Sequence, residues 1–162
     1  MSPELANGLR ARFPLVFKAQ PAPRGFATPA VSLDIGDGWH NLLETACELL
    51  YGRYTQALSR YSHLREREGL PAYRGTGGAM TAVEVEKARL AAAAEAERVP
   101  CAIQVKEKFG SLRFYASEAS PTQQAYIDFA EVLSAKTCEV CGEPGTLTGS
   151  RWLKATCSRH KA

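Results

Sequence analysis

A chain of 162 residues with 45% hydrophobic and 23% charged residues has the balance of a folded protein rather than of a disordered segment. Twenty Lys and Arg stand against seventeen Asp and Glu, so a net charge of +3 excludes a nucleic-acid binder recognisable from bulk charge alone, and any basic surface has to come from local clustering. No run of eighteen apolar residues occurs, and the opening MSPELANGLRARF lacks the apolar centre of a secretory signal, which predicts a cytoplasmic protein without a membrane span.

Ser2-Pro3 has the order of a helix cap followed by proline at the first helical position. Leu5, Leu9 and Phe13 then recur at helical spacing until Pro14, predicting a short helix. The proline-rich stretch from Phe17 to Ala30 reads as an extended connector with Phe26 against the core. Asp37 stands where a helix cap is expected, and Trp39, Leu42, Leu43, Ala46, Leu49 and Leu50 form an apolar face at spacings of three and four. The pattern continues past Gly52 through Leu58 and Tyr61 to a charged end before Gly69. Leu70 to Met80 reads as a loop. Thr81 with Glu84 three residues later is a capping box, and the alanine-rich stretch behind it predicts a helix as far as Val99-Pro100.

The period then changes. Ile103 and Val105 alternate with Gln104 and Lys106, and after Phe109-Gly110-Ser111 the alternation resumes through Leu112, Arg113, Phe114 and Tyr115, predicting a β-hairpin. Its apolar face is expected to carry Ile103, Val105, Leu112 and Phe114, and its polar face Gln104, Lys106, Arg113 and Tyr115. Such a face suits a carboxylate, a phosphate or an acidic partner strand; the competing reading is internal pairing, with Glu107 or a helix carboxylate neutralising Arg113. Ser120-Pro121 repeats the cap-plus-proline signal and opens a last helix with Tyr126, Phe129, Ala130 and Leu133 expected inward.

The tail holds Cys138-x-x-Cys141, fifteen residues, and Cys157-x-x-His160. Three thiols and an imidazole in two tight pairs match the ligand inventory of a closed tetrahedral zinc site, with the intervening segment long enough for a hairpin that joins the pairs. Trp152 is expected to cover one side of the metal. Four protein ligands leave no position for substrate, so the expected role of Zn2+ is structural, replacing a core that so short a segment cannot build. Cys47 and Cys101 remain and are expected to be buried free thiols. Arg151, Lys154, Arg159 and Lys161 surround the ligands, where they either meet phosphates or are the charge a small module has to expose. Asp34, Asp37, His40 and Glu44 also lie close in sequence, but Asp37 is explained as a cap and His40 with Glu44 as a solvent face. Neither a nucleophile elbow nor a phosphate loop occurs.

Gly36-Asp37-Gly38-Trp39 with Cys47 after it, the string Gln104-Val105-Lys106-Glu107-Lys108-Phe109-Gly110-Ser111-Leu112-Arg113-Phe114-Tyr115, and the terminal Cys3His group together resemble a family of small, largely uncharacterised proteins of tailed phages and prophages. The resemblance runs in order from Gly36 to His160, with Ser111 where the family string often has Gly. It implies a phage or prophage origin and a zinc-bearing α+β fold, and it supplies no activity. It favours a small non-enzymatic protein that binds a host protein, including a host defence system.

The expected fold is α+β, with helices packed on a small antiparallel sheet whose core hairpin lies near 102–116, and with a C-terminal zinc ribbon. Residues 1–136 are expected to form the helical domain and 137–162 the zinc module docked on it. The expected function is binding of a macromolecular partner, a host protein first, through Gln104, Lys106, Arg113 and Tyr115 extended by Arg151 and Lys154. The alternatives are a nucleic-acid-binding zinc ribbon and a small enzyme such as a nuclease using Glu107 or the Asp37/His40 group.

Overall fold

In the computed structural model, which describes residues 1–19, 31–70 and 81–161, the chain is α+β. Its helices are α1 (Pro3–Arg12), α2 (His40–Glu66), α3 (Ala82–Glu97) and α4 (Pro121–Ser134); its strands are β1 (Leu33–Asp34), β2 (Ala102–Lys108), β3 (Ser111–Ala116), β4 (Thr146–Thr148) and β5 (Lys154–Thr156). The contact expected of Phe26, most of the connector around it and residues 71–80 of the expected loop lie outside the described residues. The chain divides into two compact units, Met1–Leu50 with Pro100–Ala162, and Tyr51–Val99.

In the first unit the hairpin forms with a two-residue turn, and β2 gains a second neighbour. β1 runs parallel to it, with Leu33 opposite Val105 and Asp34 opposite Lys106, so the sheet is mixed with order β1-β2-β3. A two-residue strand carries too little alternation to be read from sequence. A bulge between Ala102 and Gln104 corrects the expected face: Ala102 and Val105 are buried, while Ile103, the extra residue, is 58% exposed. At the turn Phe109 (φ 55°) and Gly110 (φ 73°) both take left-handed backbone, the type I′ pattern that suits strand twist. Gly110 adopts it freely, whereas a phenylalanine there costs about 1–2 kcal/mol.

α4 is rotated relative to the expected orientation. Ile127, Ala130 and Ser134 are buried, and Phe129, expected inward, is 64% exposed. The reason lies at the sheet edge. Among the described residues β3 has no strand beyond it, and two of its outward amides are met by α4 side chains: Leu112 N donates to Ser134 Oγ and Phe114 N to Glu131 Oε1, both at 2.8 Å. Satisfying an edge strand in this way removes a template for aggregation and places two polar residues on the helix face that meets the sheet.

The remaining core of this unit is apolar, with Leu9, Phe13, Val16, Trp39, Leu43, Leu50 and Ile127 all buried. α2 begins at His40 after a 3-10 turn over Asp37–Trp39 that follows Gly36. Asp37 therefore does not cap α2 as expected; its carboxylate accepts the Ser2 amide at 2.6 Å instead. Ser2 precedes α1 with proline at the first turn but makes no side-chain cap bond. Cys47 and Cys101 are buried and unbridged. Burial, followed by the nearby Glu44 and Glu48 charges, pushes the Cys47 thiol far above its ordinary range, and Cys101 Sγ donates to the Lys18 carbonyl at 3.2 Å.

The second unit is formed by α2 from Tyr51 onward and by α3. The Thr81–Glu84 capping box forms as expected, and Val85, Ala88 and Ala92 are the buried residues of α3. Arg53 pairs with Glu95 at 3.1 Å between the two helices.

Candidate metal centre

The two ligand pairs sit on two short turns joined by the β4–β5 hairpin. In the first, Gly142 N donates to the Cys138 carbonyl at 2.9 Å with Gly142 at φ 78°; in the second, His160 N donates to the Cys157 carbonyl at 3.0 Å. β4 and β5 pair from Thr146 opposite Thr156 to Thr148 opposite Lys154, which returns the chain from the first turn to the second. Glu139 N donates to the Ala155 carbonyl at 2.8 Å and locks the first turn onto β5.

The four ligand atoms lie within 4.8 Å of one another and can hold a metal ion. His160 presents Nδ1, 3.5 Å from Cys138 Sγ and 3.3 Å from Cys157 Sγ, and the Cys141 and Cys157 sulfurs are 3.8 Å apart. A tetrahedral ion with metal–sulfur bonds of about 2.3 Å and a metal–nitrogen bond of about 2.0–2.1 Å requires edges of about 3.8 Å between sulfurs and about 3.6 Å between sulfur and nitrogen. These three edges fit, and the others are no longer than 4.8 Å. A separation of 3.8 Å also excludes a Cys141–Cys157 disulfide, whose sulfurs would stand about 2.05 Å apart.

Electrostatics favour ligation. Burial opposes charge on the Cys138 thiol, yet the amides of Cys157, Cys141 and Val140 directed at its sulfur outweigh it and bring the thiol well below its ordinary value. Cys157 is likewise lowered, with burial opposing and the His160 ring and Arg159 amide prevailing. His160 is raised, first by Cys157 and then by Cys138. At Cys141 the Glu143 amide pulls downward, but burial and the neighbouring thiols leave it raised. A cation that binds here displaces the protons still held by the thiols and by the His160 ring.

The first turn is seated on the rest of the unit through its own backbone carbonyls. Gly38 N donates to the Glu139 carbonyl at 2.9 Å, and the buried Trp39 indole donates from Nε1 to the Thr137 carbonyl at 2.8 Å. A Cβ on Gly36 would stand 2.0 Å from the Glu139 oxygen, and one on Gly38 2.2 Å from the Cys138 oxygen and 2.5 Å from Gly142 N. Gly36-Asp37-Gly38-Trp39 is thus the seat of the metal segment, with glycine required by close approach. A second contact comes from the β2–β3 turn, where a Cβ on Gly110 would stand 2.6 Å from Leu147 Cδ2 and 3.1 Å from the Leu153 backbone. Sequence reasoning did not assign either role; the glycine pair ahead of a tryptophan was the available signal.

The polar face of the hairpin is arranged as the alternation predicts. Gln104 is opposite Tyr115 and Lys106 opposite Arg113, with Lys106 Nζ 5.7 Å from the Tyr115 ring centre. Arg113 meets Glu131 at 3.3 Å, so the neutralising helix carboxylate is on α4. Glu107 accepts the Gly110 amide at 2.6 Å. Lys154 pairs with the buried Glu139 carboxylate, and Arg151 is exposed in the β4–β5 turn. Trp152 does not cover the metal as expected; it is 86% exposed on that same turn. Asp34, His40 and Glu44 are engaged separately, by Ser32, Asn41 and Arg12. Among the described residues the three cysteines and His160 are the one group of three or more such side chains placed to hold a metal.

No family model, curated protein or solved structure matches this chain. No helix among the described residues is long and apolar enough to cross a membrane.

Proposed function

We propose that the chain is a zinc-stabilised, non-catalytic phage or prophage accessory protein that acts by binding a host macromolecule. The observation that carries this reading is the ligand geometry: a closed set of three sulfurs and one nitrogen, with edges that suit zinc and with every coordination position taken by the protein. A metal so enclosed supplies rigidity and no reaction site. The phage lineage rests on the resemblance, and its support is that two of the segments carrying it meet in space: the Gly36–Trp39 seat receives the Cys138–Gly142 turn.

The first candidate partner is a host protein, with inhibition of a host defence complex as the role. Its contact surface is the row of Gln104, Lys106, Arg113 and Tyr115, extended by Arg151 and Lys154. A nucleic-acid partner is the second reading, and a specific observation favours it: exposed aromatic rings on the hairpin lie beside lysine ammonium groups. A tagged pull-down from host lysate, with and without nuclease, compares the wild type with a Lys106→Ala, Arg113→Ala variant. A stoichiometric protein that resists nuclease and is lost in the variant establishes the first reading; recovery of nuclease-sensitive material alone overturns it.

A further inference from the structure

The tips of two hairpins meet where Gly110 abuts Leu147 and Leu153, and the residue beside each contact is a solvent-facing aromatic: Phe109 precedes Gly110 and Trp152 precedes Leu153. Phe109 is 68% exposed and occupies a left-handed backbone position that asparagine or glycine would fill without strain. A bulky residue that breaks the local rule and buries little of itself serves something outside the folded chain. Two exposed rings of the hairpin have a cation beside them, and an exposed arginine precedes Trp152. Lys108 Nζ lies 5.3 Å from the Phe109 ring centre, Lys106 Nζ lies over Tyr115, and Arg151 is next to Trp152 in the chain. Among the described residues Lys106, Lys108 and Arg151 form no ion pair, in contrast to Lys154 and Arg113, which are paired with Glu139 and Glu131.

We infer that this double hairpin tip is a stacking platform for single-stranded nucleic acid, with Phe109 and Trp152 receiving unpaired bases and Lys106, Lys108 and Arg151 receiving the phosphates. Exposed rings interleaved with free cations are the two components that unpaired strands require, since every base offers a π-face and every linkage a charge. A duplex hides its bases from such rings and would use only the cations. The inference rests on the nucleic-acid reading above and narrows it to one strand state and to two aromatic residues.

The test is fluorescence anisotropy of a labelled oligo(dT) strand, and of a duplex of the same length, titrated with the metal-loaded protein at low salt. The expected result is binding of the strand in preference to the duplex, weakened by added salt, with a loss of about tenfold or more in each of Trp152→Ala and Phe109→Asn. Phe109→Asn relieves the left-handed backbone, so weaker binding by that variant is not a folding defect; metal content and circular dichroism check both variants. Equal binding of strand and duplex that neither variant changes would overturn the stacking platform while keeping a nucleic-acid partner. Absence of binding to either probe would overturn both. Concentration-dependent self-association abolished by Trp152→Ala would assign the patch to a second copy of the chain and also overturn the inference.

Discussion

The Ser134 hydroxyl accepts the Leu112 amide hydrogen at 2.8 Å while donating to the Glu131 carbonyl at 2.6 Å, so one buried side chain both closes α4 and covers the free edge of β3. Ser134→Ala leaves the Leu112 amide without its partner inside the protein. The expected cost is about 1–3 kcal/mol, read as a lower urea midpoint at unchanged slope. An unchanged midpoint would mean that the bond contributes nothing net.

Glu131 divides its two oxygens between the Phe114 amide and Arg113, and the second partnership is partly exposed. Glu131→Gln keeps an acceptor for the amide and is expected to cost under about 1 kcal/mol, the range of surface ion pairs. Glu131→Ala removes the acceptor and is expected to cost more than Gln. Equal losses would place the stabilisation in the charge rather than in the edge bond.

Gly38→Ala puts a methyl group against the Cys138 oxygen and the Gly142 nitrogen. The turn has to shift, at an expected cost of about 1–3 kcal/mol, and the protein should lose metal more readily to a chelator in a timed dialysis. Gly8→Ala, where a Cβ meets nothing within 4 Å, is the matched control and should be at least as stable as the parent.

Stripping the metal with a strong chelator should unlock the Cys138–His160 segment and, through the Gly38 and Trp39 bonds, the start of α2. Amide exchange read residue by residue is expected to accelerate at Glu139, Gly142 and His160 and also at Gly38. Exchange confined to the tail would show that the seat holds without the ion.

Glu84 is held below its ordinary carboxyl value, first by the Thr81 amide and then by the Thr81 hydroxyl. A carboxyl lowered by folding adds stability above its unfolded value of 4.5, and that stability is lost as pH falls through the folded value. The first turn of α3 is therefore expected to fray as pH falls below that unfolded value, visible as lost protection of the Val85 amide relative to its intrinsic exchange rate at the same pH, and Glu84→Gln should flatten this dependence.

Local signals were legible where one residue's chemistry decides the matter. The Thr81 capping box, the Ser120 cap with its proline, the 102–116 hairpin and the two metal-ligand pairs all follow from short-range spacing, and the structure forms each of them. What escaped depends on partners distant in sequence. Phe129 reads as core by apolar periodicity, but Glu131 and Ser134 outrank it because unfilled amides on β3 cost more than an exposed ring. Asp37 has the composition of a cap, yet the Ser2 amide claims its carboxylate. Ile103 shares a period with Val105, and a single bulge turns it outward. Trp152 was placed over the metal by its nearness in sequence, which says nothing about which side of a hairpin turn a ring takes.

The glycine seat orders events during synthesis. Gly38 and its contact Cys138 are one hundred residues apart (138 − 38), so Trp39 cannot find the Thr137 carbonyl until the segment carrying Thr137 has left the ribosome. The Arg53–Glu95 pair of the second unit lies entirely ahead of Thr137 in the chain, so that unit is free to fold first. The second ligand pair, Cys157 and His160, follows Cys138 and Cys141, and their capture of an ion would coincide with closure of the Gly36–Trp39 seat on the first turn. Metal supply would in this way act as a checkpoint on newly made copies, since a chain that held no ion would leave the beginning of α2 uncovered and open to proteolysis.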